Sequence, residues 1–175
     1  PEREQPRPDT SGWAVHGTPE TRKNLITSIY LDAPAQEAHN LRLQAKYVAM
    51  QADARHEAYL CDDAEIVLVA YGICSRIART AAEALRAEGV KAGVFRPLTL
   101  SPFPDEALST TLLGRRAMVV ELSAGQFYND VILALATVGG RHQEVGLCNR
   151  MGGMVMTVAD VVEAARAAMK KQVIS

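Results

Sequence analysis

From residue 65 onward, short apolar runs alternate with segments whose apolar residues recur every three or four positions. Glu65-Ile66-Val67-Leu68-Val69-Ala70-Tyr71 is almost continuously apolar and breaks at Gly72, the pattern of a strand buried on both faces of a parallel sheet. A helix over 75–88 follows, with Ile77, Ala81, Ala84 and Leu85 on one face. Ser75 is placed to cap its start, and Gly89 to end it in the left-handed region. Residues 90–95 read as the next strand, stopped by Arg96-Pro97, then 105–113 as a short helix and 117–122 as a third strand. Phe127, Val131 and Leu135 mark another helix, running to Gly139-Gly140, and 144–148 a short fourth strand. Thr157 opens the last helix with Asp160 as its capping-box partner, and Val158, Val161, Val162, Ala165 and Met169 form its apolar stripe. Strands joined through helices need right-handed crossovers, so the pattern predicts a three-layer α/β/α sandwich with a mostly parallel sheet.

The first third of the chain has a different pattern. Residues 34–60 read as a leading helix, because Leu41, Ala45, Val48 and Ala52 recur at helical intervals and Asp32 stands ahead of Ala33-Pro34 as an N-cap. Residues 1–33 read as an extended arm or linker from a preceding domain. They carry Pro6, Pro8, Pro19, Gly12, Gly17 and a polar stretch over 18–24, with only Leu25, Ile26, Ile29, Tyr30 and Leu31 to anchor them. The expected division is therefore an arm at 1–33, a helix at 34–60 and an α/β domain at 61–175.

Composition narrows the function classes. Hydrophobic residues make up 48% of the 175, enough for one buried core. Nineteen Lys and Arg against twenty Asp and Glu lower the weight of a nucleic-acid binder, which neutralises phosphates with excess positive charge. No apolar run approaches the roughly 20 residues that cross a bilayer. The three cysteines, Cys61, Cys74 and Cys148, lack the paired spacings of zinc or iron–sulfur sites and read as reduced, buried thiols. Cys74 is singled out because it lies in a turn before a helix, where a thiolate can be stabilised. A reducing, cytoplasmic setting is expected.

Candidate chemistry gathers at the carboxyl ends of the predicted strands, where open α/β sheets bind ligands. Gly72, Ser75 and Arg76 follow the first, Arg96 the second, Glu121, Gly125 and Gln126 the third, and Arg150, Gly152 and Gly153 the fourth. Arginines and helix-opening glycines there suit a small anion or nucleotide, and the same residues suit turns or a subunit interface. Neither G-x-G-x-x-G nor a phosphate loop ending in Gly-Lys-Ser/Thr occurs. His16, His39, His56 and His142 are scattered without metal-type spacing. Glu121, at the end of an apolar strand, is either an acid–base group or an acceptor for a neighbouring loop or subunit. No catalytic set is readable from the residues.

Taken together, the loops resemble a known family. The stretches 63–72 and 75–78, Gly93-Val94-Phe95-Arg96-Pro97-Leu98-Thr99-Leu100-Ser101-Pro102-Phe103-Pro104, Val120-Glu121-Leu122-Ser123-Ala124-Gly125-Gln126 with Asp130-Val131, and Arg150-Met151-Gly152-Gly153-Met154 are similar to the C-terminal domain of 2-oxoacid:ferredoxin oxidoreductase alpha-type subunits. Residues 40–47 have the character of that family's leading helix, and the resemblance covers about 13–170. It implies a fold like the transketolase C-terminal domain, with a mostly parallel five-stranded sheet.

The family's enzymes decarboxylate a 2-oxoacid oxidatively on thiamine diphosphate with magnesium, transfer the acyl group to coenzyme A, and send electrons through iron–sulfur clusters to ferredoxin. The Ser-Ala-Gly-Gln and Arg-Met-Gly-Gly forms lean toward the 2-oxoisovalerate subtype, with 2-oxoglutarate next. Without a G-D-G motif or cysteine pairs, none of these cofactors is expected on this chain. Its expected partners are the other domains and subunits of such a complex, with ferredoxin reached through them and a homodimer as a further possibility; nucleic acid and membrane are not expected. The implied role is an assembly domain, inactive by itself. The competing role is a stand-alone module that binds phosphate, coenzyme A or a nucleotide.

Overall fold

The apolar runs form one sheet of five strands: β1 (His56–Tyr59), β2 (Ile66–Val69), β3 (Ala92–Pro97), β4 (Arg116–Glu121) and β5 (Val145–Asn149). In this computed structural model, which describes residues 7–27, 29–139 and 144–170, the strands lie in the order β1-β3-β2-β4-β5. All neighbours are parallel except β1, which runs antiparallel to β3 with His56 opposite Pro97 and Tyr59 opposite Val94. The helices are α1 (Ala33–Met50), α2 (Gly72–Ala87), α3 (Asp105–Leu112), α4 (Gln126–Gly139) and α5 (Val158–Lys170).

Because side chains alternate along a strand, the inner strands feed two cores. Ile66, Leu68, Val94, Met118 and Val120 pack under α2 and α5, with Ala78, Leu85, Val161 and Ala165 facing them. Val67, Val69, Phe95 and Val119 face the other way, onto Leu108 and Leu112 of α3 and Phe127, Val131 and Leu135 of α4. This is the three-layer sandwich that the alternation of elements predicts. Gly93 lets the backbone preceding β2 cross β3, since a Cβ there would stand 2.6 Å from the Leu60 carbonyl oxygen. Asp32 caps α1 as expected, its carboxylate accepting the Ala35 N–H at 2.9 Å.

The chain divides into two compact units, Pro1–Lys46 and Tyr47–Ser175. The leading helix does not continue to 60. It stops at Met50, a 3₁₀ turn occupies Gln51–Asp53, and β1 begins at His56. Four residues of strand are invisible to periodicity because their stability comes from pairing with β3, about forty positions later. No residue of α1 is buried, and on its apolar stripe Leu41 and Val48 are 66% and 76% exposed.

Two smaller corrections concern β3 and α2. Arg96 and Pro97 lie inside β3, held there by β1. Ser75 does not cap α2, which already starts at Gly72; its hydroxyl donates to the Gly72 carbonyl at 2.8 Å within the first turn. Pro6, Gly140 and His142 lie outside the described residues.

Candidate functional site

The sheet's connections reverse at β2, with β3 on one side and β4 on the other, so the loops after β2 and β4 diverge at their carboxyl ends. On the α3/α4 side this crevice is lined by rings: Tyr71 meets Phe127 edge-on at 4.8 Å, and Phe103 meets Phe127 at 6.2 Å.

Glu121 ends β4 here and is only 2% exposed. Its Oε2 accepts the Ser123 hydroxyl at 2.5 Å and the Phe127 backbone N–H at 2.9 Å. The carboxylate thus sits at the N-terminus of α4, where free N–H groups and the helix dipole favour negative charge. It takes the place that a free anion would use. The turn that brings α4 over it depends on Gly125, at φ +104°. Asn149 stands opposite Glu121 in the β4–β5 register and donates from Nδ2 to the Ser123 carbonyl at 2.8 Å. The Arg150 N–H donates to the Glu121 carbonyl at 3.2 Å.

The Arg150 guanidinium pairs with Asp160. Asp160 also accepts the Thr157 hydroxyl at 2.7 Å and the Thr157 N–H at 2.8 Å, while its own N–H donates to Thr157 Oγ1 at 3.1 Å. This is the capping box that the sequence predicts. The Thr157 hydroxyl above all, then the Thr157 N–H and Arg150, holds the Asp160 carboxyl down at about 2.

The structure therefore brings Glu121, Gly125, Gln126 and Arg150 to one place. Gln126 is the exposed first residue of α4, and Gly152 and Gly153 form an exposed turn at φ +65° and +85°. Gly72, Ser75 and Arg76 open α2, where Arg76 is exposed and makes no ion pair among the described residues. Arg96 and Arg150 do not converge: their strands lie three intervals apart in the sheet, about 14 Å. Each is already paired, Arg96 with Glu57 at 3.1 Å and Arg150 with Asp160. Ser123 and Asn149 complete the Glu121 knot without having been candidates. Asn149 becomes readable only once the β4–β5 register is known.

The thiols do not form a donor set. Cys61 packs on the α3/α4 face of the sheet, Cys74 and Cys148 on the opposite face. Burial pushes all three thiols up, and at Cys74 the Glu121 charge adds to it, so the start of α2 does not stabilise a thiolate. Among the described residues no group of three or more His, Cys, Asp or Glu is placed to hold a metal ion. His56 instead stacks on Phe95 at 5.1 Å. A cleft of about 660 Å³ lies beside it, walled by Phe103, Asp105, Glu106 and Val138. Burial, then the Glu106 charge, raises the Asp105 carboxyl there. No described helix is long and apolar enough to cross a membrane.

Residues 64–161 match the family profile of pyruvate:ferredoxin oxidoreductase core domain II. The chain is 48% identical over 162 residues to the ketoisovalerate oxidoreductase subunit VorB of Methanothermobacter thermautotrophicus, which covers 91% of this chain and 44% of that relative. It thus spans under half the length of the curated protein it matches. Among solved structures it is similar to the 2-oxoglutarate:ferredoxin oxidoreductase of Magnetococcus marinus, solved with 2-oxoglutarate, coenzyme A and succinyl-CoA bound (TM-score 0.65, 18% identity, 81% of this chain and 24% of that one). It is also similar to a split-gene transketolase, an inactive β4 tetramer (TM-score 0.56, 25% identity, 66% of this chain and 41% of that one). The fold is the transketolase C-terminal type that the sequence resemblance implies.

Proposed function

Because the chain belongs to the family of pyruvate:ferredoxin oxidoreductase core domain II, we propose that it serves as the assembly domain of an alpha-type subunit in a 2-oxoacid:ferredoxin oxidoreductase. The substrate of that enzyme is a branched-chain 2-oxoacid, 2-oxoisovalerate, a reading supported by the 48% identity to a ketoisovalerate oxidoreductase subunit. Thiamine diphosphate stabilises the carbanion left by decarboxylation and iron–sulfur clusters carry its electrons to ferredoxin. These groups, with magnesium and coenzyme A, belong to other domains or subunits. The described thiols and acids do not fit the clusters or magnesium: the thiols lie on opposite faces of the sheet, and the acids form no metal cage.

One observation carries the structural role. Around the end of β4 polar groups hold one another, Ser123 and the Phe127 N–H by Glu121, Asn149 by Ser123, and Arg150 by Asp160. Such a knot fixes the shape of a surface. Purified chain supplied with 2-oxoisovalerate, coenzyme A and methyl viologen is expected to leave the dye oxidised, and calorimetry against coenzyme A to give no micromolar signal. Dye reduction refutes the assembly role. Coenzyme A binding that is lost in Arg150→Ala favours the stand-alone ligand module instead, to which the exposed Gly152–Gly153 turn lends itself.

A further inference from the structure

Among the described residues one buried side-chain atom has no hydrogen-bond partner, Oε1 of Glu121. The other oxygen of the same carboxylate accepts two hydrogen bonds, so the orphan is not a misplaced group but one half of an ordered one. Gly125, itself buried, lies beside it. A Cβ built there would stand 3.9 Å from Oε1 and 4.0 Å from Leu147 Cδ2, with no other atom within 4 Å. Leu147 belongs to β5, the last strand of the sheet, and is 41% exposed, so a half-exposed apolar side chain on an edge strand stands beside the carboxylate. Around that end of the sheet Leu122, Met151, Met154 and Val155 are also exposed.

A desolvated polar atom beside an exposed apolar side chain suits a binding hot spot, in which apolar contacts exclude water and the polar centre discriminates. An unpaired carboxylate oxygen asks for a charged donor more than for a neutral one. Arg150, whose backbone N–H bonds the Glu121 carbonyl, spends its guanidinium on Asp160. We propose that Oε1 of Glu121 anchors a lysine ammonium or arginine guanidinium that a partner subunit inserts past Leu147 at the β5 edge. The backbone of β5 has no strand on its outer side among the described elements, so a partner segment can lie along it while its cation reaches inward. This interface rests on the assembly role proposed above.

The test uses the full chain co-expressed with the remaining subunits of its enzyme. Glu121→Gln keeps the acceptor for Ser123 and Phe127 but presents an N–H₂ where the cation would sit. It is expected to weaken subunit association more than about tenfold, while the melting temperature of the chain alone stays within about 3 °C. Leu147→Lys supplies the cation internally. It is expected to raise that melting temperature and to block association equally. If both variants assemble like the unaltered chain, Glu121 is no anchor and the proposal falls. If the unaltered chain itself fails to associate with those subunits, the assembly role falls along with it.

Discussion

Arg150 and Asp160 are joined across the turn between β5 and α5, and the same Asp160 carboxylate closes the first turn of α5 through Thr157. One acidic group therefore ties the last strand of the sheet to the helix that covers it.

That group makes acid stability predictable in sign. The folded Asp160 carboxyl is held at about 2, below an ordinary aspartate near 3.9. Its stabilisation is complete above the ordinary value and is lost as pH falls toward about 2. Asp63 and Glu88, lowered by Arg86 and Arg166, act in the same direction, so the readout is a difference between two curves. Between about pH 4 and pH 2, the denaturation midpoint of the unaltered chain should fall more steeply than that of Asp160→Asn. Parallel curves would show that Asp160 carries no such linkage.

Gly93 and Gly146 should respond oppositely to a single methyl group. At Gly93 the new Cβ meets the Leu60 carbonyl at 2.6 Å and Cys61 Cα at 3.0 Å, both backbone. Gly93→Ala is expected to cost at least about 2 kcal/mol. At Gly146 the nearest atom is Met118 Cγ at 3.5 Å, an ordinary contact. Gly146→Ala should change stability by less than about 1 kcal/mol. Urea titration of both variants decides, and equal costs would count against this account of the β3 crossing.

The three thiols should behave as interior groups. Cys61, Cys74 and Cys148 are buried and each is pushed toward the protonated form. Reaction with an aromatic disulfide at neutral pH should run more than about tenfold slower in the native chain than in urea. Fast native labelling that disappears in Cys74→Ser would restore the stabilised thiolate that its place at the start of a helix suggests.

The α/β domain was legible because its strands are buried on both faces. Ile66 to Val69 and Met118 to Val120 have no polar side to confuse the pattern, and the helices between them carry clear stripes. β1 was not legible, since His-Glu-Ala-Tyr has no periodic signal and exists as strand because β3 is there to receive it. The same reason hid the site. Glu121 could be flagged as a charged residue ending an apolar strand, but its contacts run to Ser123 and Phe127 through a turn, with Asn149 beside it through register. Arg96 and Arg150, both at strand ends in the sequence, are separated by the strand order, which no local pattern encodes.

The antiparallel pairing of β1 with β3 also bears on how the chain is made. During synthesis β1 leaves the ribosome first, yet its partner residues, Val94 to Pro97, follow only after β2 and α2 have been added. Domains fold as their segments become available. β1 must therefore wait, exposed, while the strand–helix–strand unit that will receive it is still being translated. Its charged and polar side chains, His56 and Glu57 among them, keep it from pairing elsewhere in the interval.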